Sequence, residues 1–284
     1  MDFELEVTPM AAPIIVGIDG STHSRRALDW AADHGARHRL PLRLVHASRA
    51  LEPGGSIPYD ALRRLVAERE DMLAEARDHA VKRHSGLDVT TSLLETDPGG
   101  ALVDASDEAA LVVVGSRGQG GFEGLLFGSV GLHTAARARC PVMVVTRPAP
   151  DPDDAPAEIV VGVEGEPGDG AAVRWAFADA AARGAGVVAL HAAGGEFSPR
   201  RRVIEEMELS EAVAGMGEDF PDVAVRPLVS DRTASQALVE ASESAALVVV
   251  GARTRKSLIG MGLGRVNHVV LHHSRCPVVL VPTS

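Results

Sequence analysis

The feature that most constrains the fold is an internal repeat. Residues 14–21, IIVGIDGS, return as residues 159–166, IVVGVEGE, and Trp30 and His46 return as Trp175 and His191, all at an offset of 145. Farther on, residues 110–118, ALVVVGSRG, return as residues 246–254, ALVVVGART, and Cys140-Pro141 returns as Cys276-Pro277, at an offset of 136. Two copies of one unit therefore fill the 284 residues, and each copy has the size of an ordinary domain. The second is shorter by nine residues, lost between His191 and Ala246. The intervening segment 147–158, RPAPDPDDAPAE, consists largely of proline, alanine and acids, a solvated linker composition. The expected domains are residues 1–150 and 151–284.

Within each copy, short β-branched runs alternate with helical patterns. Residues 14–18, 42–45, 89–94, 111–114 and 142–145 read as strands bounded by Gly, Pro or Asp, and their near-continuous apolarity predicts burial on both faces. Ala27, Trp30 and Ala31 mark one helical face; Leu62, Leu65, Val66, Met72, Leu73, Ala76 and Ala80 mark a longer one. The order β-α-β-α-β-α-β-α-β predicts an α/β fold with a parallel, doubly wound sheet in each copy. Ligands of such sheets bind beyond the carboxyl ends of the strands, at the topological switch point.

Composition removes several classes of function. Hydrophobic residues at 45% and charged residues at 24% are globular values, and no apolar run approaches the length of a membrane span. The net charge of −11 repels phosphate backbones, so nucleic acid is not an expected partner. Two cysteines build no disulfide scaffold, and the start MDFELEVTPM is acidic without a signal peptide's apolar stretch, which predicts a cytoplasmic protein.

Two features of the first copy fall at strand carboxyl ends. Asp19 closes the first strand. After the fourth come Gly115, Ser116, Arg117, Gly118, Gln119, Gly120 and Gly121, and then Gly128, Ser129 and Val130 opening a helix. Glycines let backbone N–H groups converge on an anion, and the free N–H groups of a helix start add partial positive charge. The loop reads as a phosphate cradle, with Ser129 as a hydroxyl donor and Asp19 as an acceptor for a ribose hydroxyl. The alternative, a glycine-rich surface turn, fits a position after a buried strand less well. The segment lacks the Lys-Ser/Thr of a P-loop, and its glycines follow the fourth strand, where a dinucleotide fingerprint would follow the first.

The spacing Gly115-x-x-Gly118, nine residues, then Gly128-Ser129 resembles the signature of ATP-binding universal stress proteins. With VGIDGS, VVVGSRG and the Cys-Pro before the last strand, the resemblance spans essentially the whole chain, as two tandem domains of that family. It implies Rossmann-like sheets of strand order 3-2-1-4-5, paired through their last strands, residues 142–145 and 278–281, as an intrachain pseudo-dimer. It also implies ATP, accompanied by Mg²⁺, in the first domain. Gly17 would allow close backbone approach, Asp19 would face the ribose or adenine, and Ala47 would contact adenine through its backbone. Residues 115–121 would wrap the phosphates, and Gly128, Ser129 and Val130 would close the site. The implied role is a nucleotide-dependent stress or growth regulator acting on a protein partner, itself open to homodimerisation. The alternatives are a slow Mg²⁺-dependent ATPase and a nucleotide-independent scaffold; no catalytic constellation is evident.

The second copy departs from the signature. Glu164 stands for Asp19, Thr254 for Gly118 and Arg265 for Ser129, while Gly251 and Gly264 remain. Arg253, Arg255, Lys256 and Arg265 form a local basic set, read as a solvated loop on a degenerate half, with a charge-based anion site as the sharper alternative. Among the histidines, none is expected in metal-ligand spacing, and His46 and His191 are expected to share a structural role. Cys140 and Cys276 are expected to pack as small apolar groups.

Overall fold

The computed structural model describes residues 11–51, 58–118, 128–147, 158–165, 169–195, 198–253 and 263–283. In the first half, β1 (Ile14–Gly17), β2 (Leu42–Ala47), β3 (Val89–Leu94), β4 (Leu111–Gly115) and β5 (Val142–Val145) alternate with α1 (Thr22–His38), α2 (Tyr59–Arg83), α3 (Pro98–Ala105) and α4 (Ser129–Arg137). The second half repeats this with β6 (Glu158–Gly162), α5 (Asp169–Arg183), β7 (Gly186–Ala192), α6 (Pro199–Ala214), a short α7 (Met216–Asp219), β8 (Val225–Ser230), α8 (Ala234–Ala241), β9 (Leu247–Arg253), α9 (Arg265–His273) and β10 (Val278–Thr283). No helix among the described residues is long and apolar enough to cross a membrane.

Each half has the order 3-2-1-4-5, and the two join into one sheet of ten strands, β3-β2-β1-β4-β5-β10-β9-β6-β7-β8. Pairing is parallel throughout except at the junction of β5 with β10, which is antiparallel. Met143 pairs with Val279, its own counterpart in the repeat, and Val144–Val278 and Val142–Leu280 flank it. A local pseudo-twofold axis therefore passes through the centre of the sheet. The pseudo-dimer read from the sequence is one continuous sheet.

Alternation of Cβ along each strand builds two cores. Ile14, Val16, Leu111 and Val113 face one side with Trp30 of α1 and Phe177 of α5. Ile15, Val112 and Val114 face the other with Leu102 of α3, Ala135 of α4, Leu238 of α8 and Val270 of α9. Both clusters run through both halves. Local signals set the helix starts: Ser21 caps α1 by accepting from the Ser24 amide, and Asp97 caps α3 with Pro98 next in line.

The expectation of two-sided burial fails for β3. Its sequence VTTSLL leaves Thr90 and Thr91 exposed on opposite faces, because β3 ends the sheet and neither face is fully covered there. The other end strand, β8, is likewise open at Val225 and Leu228.

Candidate functional site

In the first half three chain segments converge at the carboxyl ends of β1 and β4. Gly20, at φ 81°, turns the chain after β1, and Asp19 Oδ1 accepts from the Ser21 amide at 2.9 Å. A Cβ on Gly118 would lie 2.5 Å from the other carboxylate oxygen, so the missing side chain is what lets the loop and Asp19 meet. A Cβ on Gly115 would lie 2.7 Å from the carbonyl carbon and oxygen of His23, in the first turn of α1. The chain leaves the sheet at Ser116, whose amide still donates to Val145 O at 3.0 Å and whose carbonyl accepts from the Gly128 amide at 2.8 Å. That last bond seats the start of α4 against the loop, where a Cβ on Gly128 would lie 3.6 Å from Arg117 Cα.

The structure thus brings together Asp19, Gly115, Ser116, Arg117, Gly118, Gly128, Ser129 and Val130. Ser116 is buried, Arg117 and Ser129 are exposed, and the first-turn amides of α4 have no intrahelical acceptor. Partial burial, and then the charges of Arg117 and Arg26, hold the His23 imidazole below its usual range, with Asp19 opposing them. Gln119, Gly120 and Gly121 lie outside the described residues.

Gly17 has a packing reason to be glycine beside the one the resemblance implied. Its missing Cβ points at Leu102, 3.2 Å away, and at Val114, 3.4 Å away, so it seats α3 beneath the site. Gly162 does the same for Leu238 of α8. Ala47 is buried at the end of β2, in register with Leu94. Beside it, His46 Nδ1 donates to Ile18 O at 2.7 Å, and in the second half His191 Nδ1 donates to Val163 O at 2.9 Å. A carbonyl only accepts, so Nδ1 carries the proton in both. The shared role expected for these histidines is to pin the second strand of each half to the chain leaving the first.

The second half is built otherwise at the same place. β9 runs on through Ala252 and Arg253, paired with Pro282 and Thr283 of β10, where β4 stops at Gly115. Asn267, the counterpart of Gly131, donates to Gly251 O at 2.9 Å and holds that extension down. Among the described residues Gly264 has nothing within 4 Å of its Cβ direction, where Gly128 meets Arg117, Gly118 and Ser116. Asp169 Oδ2 accepts from the amides of Glu164 and Gly165 at 2.7 and 2.8 Å, bracing the turn after β6. The result is a cavity of about 530 Å³ lined in part by Glu164, Asp169, His191, Arg265 and Asn267. Thr254, Arg255 and Lys256 lie outside the described residues.

Burial pushes both thiols up to about 11, in keeping with Cys140 and Cys276 as packing groups. Arg201 pairs with Glu205 at 3.2 Å along the exposed side of α6. The expectation that no histidine stands in ligand spacing is corrected: His34, His38 and Asp179 lie together, their ligand atoms within 4.8 Å of one another. Sequence reasoning missed them because Asp179 comes from the other half. The signal was there in the i, i+4 spacing of the histidines and in Asp179 occupying the repeat position of His34.

A sequence profile of the universal stress protein family matches residues 10–146 and again residues 157–282. Universal stress protein Rv2005c of Mycobacterium tuberculosis is 37% identical over 294 aligned positions, covering 95% of this chain and 97% of that one. Universal stress protein Rv2623 of the same organism is 35% identical, covering 95% and 96%. A crystal structure of a universal stress protein from Archaeoglobus fulgidus superposes with a TM-score of 0.75 at 18% identity, covering 97% of each chain. Two matches in tandem, and relatives aligned from end to end, carry one conclusion: the chain belongs to the universal stress protein family, with two copies of its domain.

Proposed function

We propose that the chain is an adenine-nucleotide-binding regulator that holds ATP in its first domain, residues 1–150, with residues 151–284 as a partner domain that has lost the phosphate cradle. The observation that carries this reading is the approach of Gly118 to the Asp19 carboxylate, where a Cβ would stand 2.5 Å from Oδ2, together with the Gly128 amide bound to Ser116 O at 2.8 Å. The first puts a carboxylate beside a glycine loop. The second aims the free amides of a helix start at the same spot.

In this reading the Asp19 carboxylate accepts from a ribose hydroxyl, and the backbone at Ala47 meets the base. Residues 115–121 and the amides of Gly128, Ser129 and Val130 receive the phosphates, with the Ser129 hydroxyl and Arg117 available as further donors. Mg²⁺ supplies charge neutralisation of the phosphates when it accompanies the nucleotide. Binding alone is the proposed activity. Occupancy would couple to partner proteins through the loop and α4.

Acid release of nucleotide from freshly purified protein, followed by chromatography, tests the proposal. Retained ATP is expected from the parent chain and none from the folded D19A/G118A variant. ADP alone would indicate efficient hydrolysis, and undiminished retention by the variant would refute the placement of the site.

A further inference from the structure

Helices α1 and α5 meet across the pseudo-twofold axis, and the repeat relates the residues they place there: His34 to Asp179, His38 to Arg183, Trp30 to Trp175. Asp179 is only 1% exposed. Its Oδ1 receives His38 Nε2 at 3.1 Å and its Oδ2 receives Arg183 Nε at 2.6 Å. His34 Nδ1 stands 3.2 Å from Oδ1, off the line a hydrogen bond needs. His34 stacks on His38 and on Trp175, and the Arg183 guanidinium lies over Trp30. Burial pushes the Asp179 carboxyl up, but the two imidazoles and Arg183 outweigh it and hold the group well below the usual carboxylate range. A buried, ionised carboxylate thus takes its donors from both halves of the chain.

The strands at the junction do not tell one half from the other. VMVV of β5 pairs with VVLV of β10 through main-chain bonds, and a second copy of β5 would present the same apolar edge. Discrimination has to come from the helices above. Two first halves face to face would set His34, His38 and Arg37 against their like with no carboxylate between them. Two second halves would set one buried Asp179 against another.

We propose that His34, His38, Asp179 and Arg183 form a pairing code, by which the α1 face of a first half accepts the α5 face of a second half and refuses a copy of itself. The trio His34, His38 and Asp179 also has the spacing of a metal site. Against a divalent cation stand Arg183, already on the carboxylate, and Arg37, close enough for its charge to act on Arg183 and Asp179. One carboxylate does not balance two guanidinium groups and a dication.

Substitutions in the intact chain reproduce each forbidden pairing at its central contact. H34D puts a carboxylate on both sides, as two second halves would, and D179H puts an imidazole on both, as two first halves would. Each is expected to lower the Tm by about 10 °C. The swap H34D/D179H should regain at least half of the loss, because positions 38 and 183 are also counterparts. A carboxylate at 34 keeps one donor four residues on along its own helix and one across the axis. If the single variants do not fold, a folded swap supports the proposal by itself. If the swap does not fold either, the milder H38Q and D179N substitutions replace it, non-additive losses supporting the code and additive ones overturning it. Singles that melt with the parent, a swap that regains less than half, or a Zn²⁺-induced rise in Tm that D179N abolishes would each overturn it.

Discussion

The first half ends β4 at Gly115 and turns into a loop that Gly128 closes; the second half carries β9 two residues farther and pins it with Asn267. The strands before this point are nearly the same letters, ALVVVG in both. What differs is whether the chain leaves the sheet at once. A strand that continues spends its amides on its neighbour, and a strand that stops leaves amides free for a ligand. In this pair of domains, the half proposed to lack the cradle is the one whose fourth strand runs two ladder positions farther.

The largest effect that separates the halves is expected at the last residue of the shared motif. Gly115→Ala drives a methyl group to 2.7 Å from the His23 backbone and should destabilise the first half by about 2–3 kcal/mol, measured by urea unfolding. Gly251→Ala meets only the Thr283 methyl, at 3.2 Å, and should cost less than about 1 kcal/mol. Equal losses would mean that the two strand ends are packed alike.

Next comes Gly118→Ala, which pushes against the Asp19 carboxylate and should weaken ATP binding by about 10–100-fold. Gly264→Ala, which meets none of the described residues within 4 Å, should leave binding and folding unchanged. Smaller still, Asn267→Ala removes the donor to Gly251 O and should cost about 1 kcal/mol, confined to the second half. Hydrogen exchange that quickens at Ala252 and Arg253 would show it; exchange unchanged there would break the contrast between the strand ends.

Acid acts on the contact between the halves. Burial outweighs the opposing pull of Asp179 and, with the charges of His38 and Arg183, keeps His34 below the value of 6.5 it has when unfolded. Below that value the unfolded chain takes up a proton that the folded chain resists, so the stability present at neutral pH is lost as pH falls. Asp179, held low, adds the same trend only in the more acid range, below about 3.8. The Tm should therefore fall between pH 7 and about 5.5, and His34→Gln should flatten that slope in part. An unchanged slope in this variant would show that His23 or His272, also held low, dominates it.

Much of the fold was legible because the repeat and the alternation of apolar runs are local signals. The ladder order of each half and the joining of residues 142–145 to 278–281 followed from the family resemblance. The site was legible where glycine spacing carries it, at Gly115, Gly118 and Gly128. Three things were hidden. Gly17 reads as a glycine near a ligand, and its packing against Leu102, a residue far along the chain, shows only in three dimensions. The exposure of β3 depends on its place at the sheet's end, which VTTSLL signals only faintly. The Asp179 cluster joins groups from two domains, where no single window of sequence shows both partners.

The central claim is that the two halves share a fold and that only the first holds a nucleotide. Isothermal titration of the intact, nucleotide-free chain with ATP and Mg²⁺ tests it most directly. One ATP per chain, abolished in the D19A/G118A variant, is the predicted result. Two ATP per chain, or one that survives D19A/G118A, would contradict it.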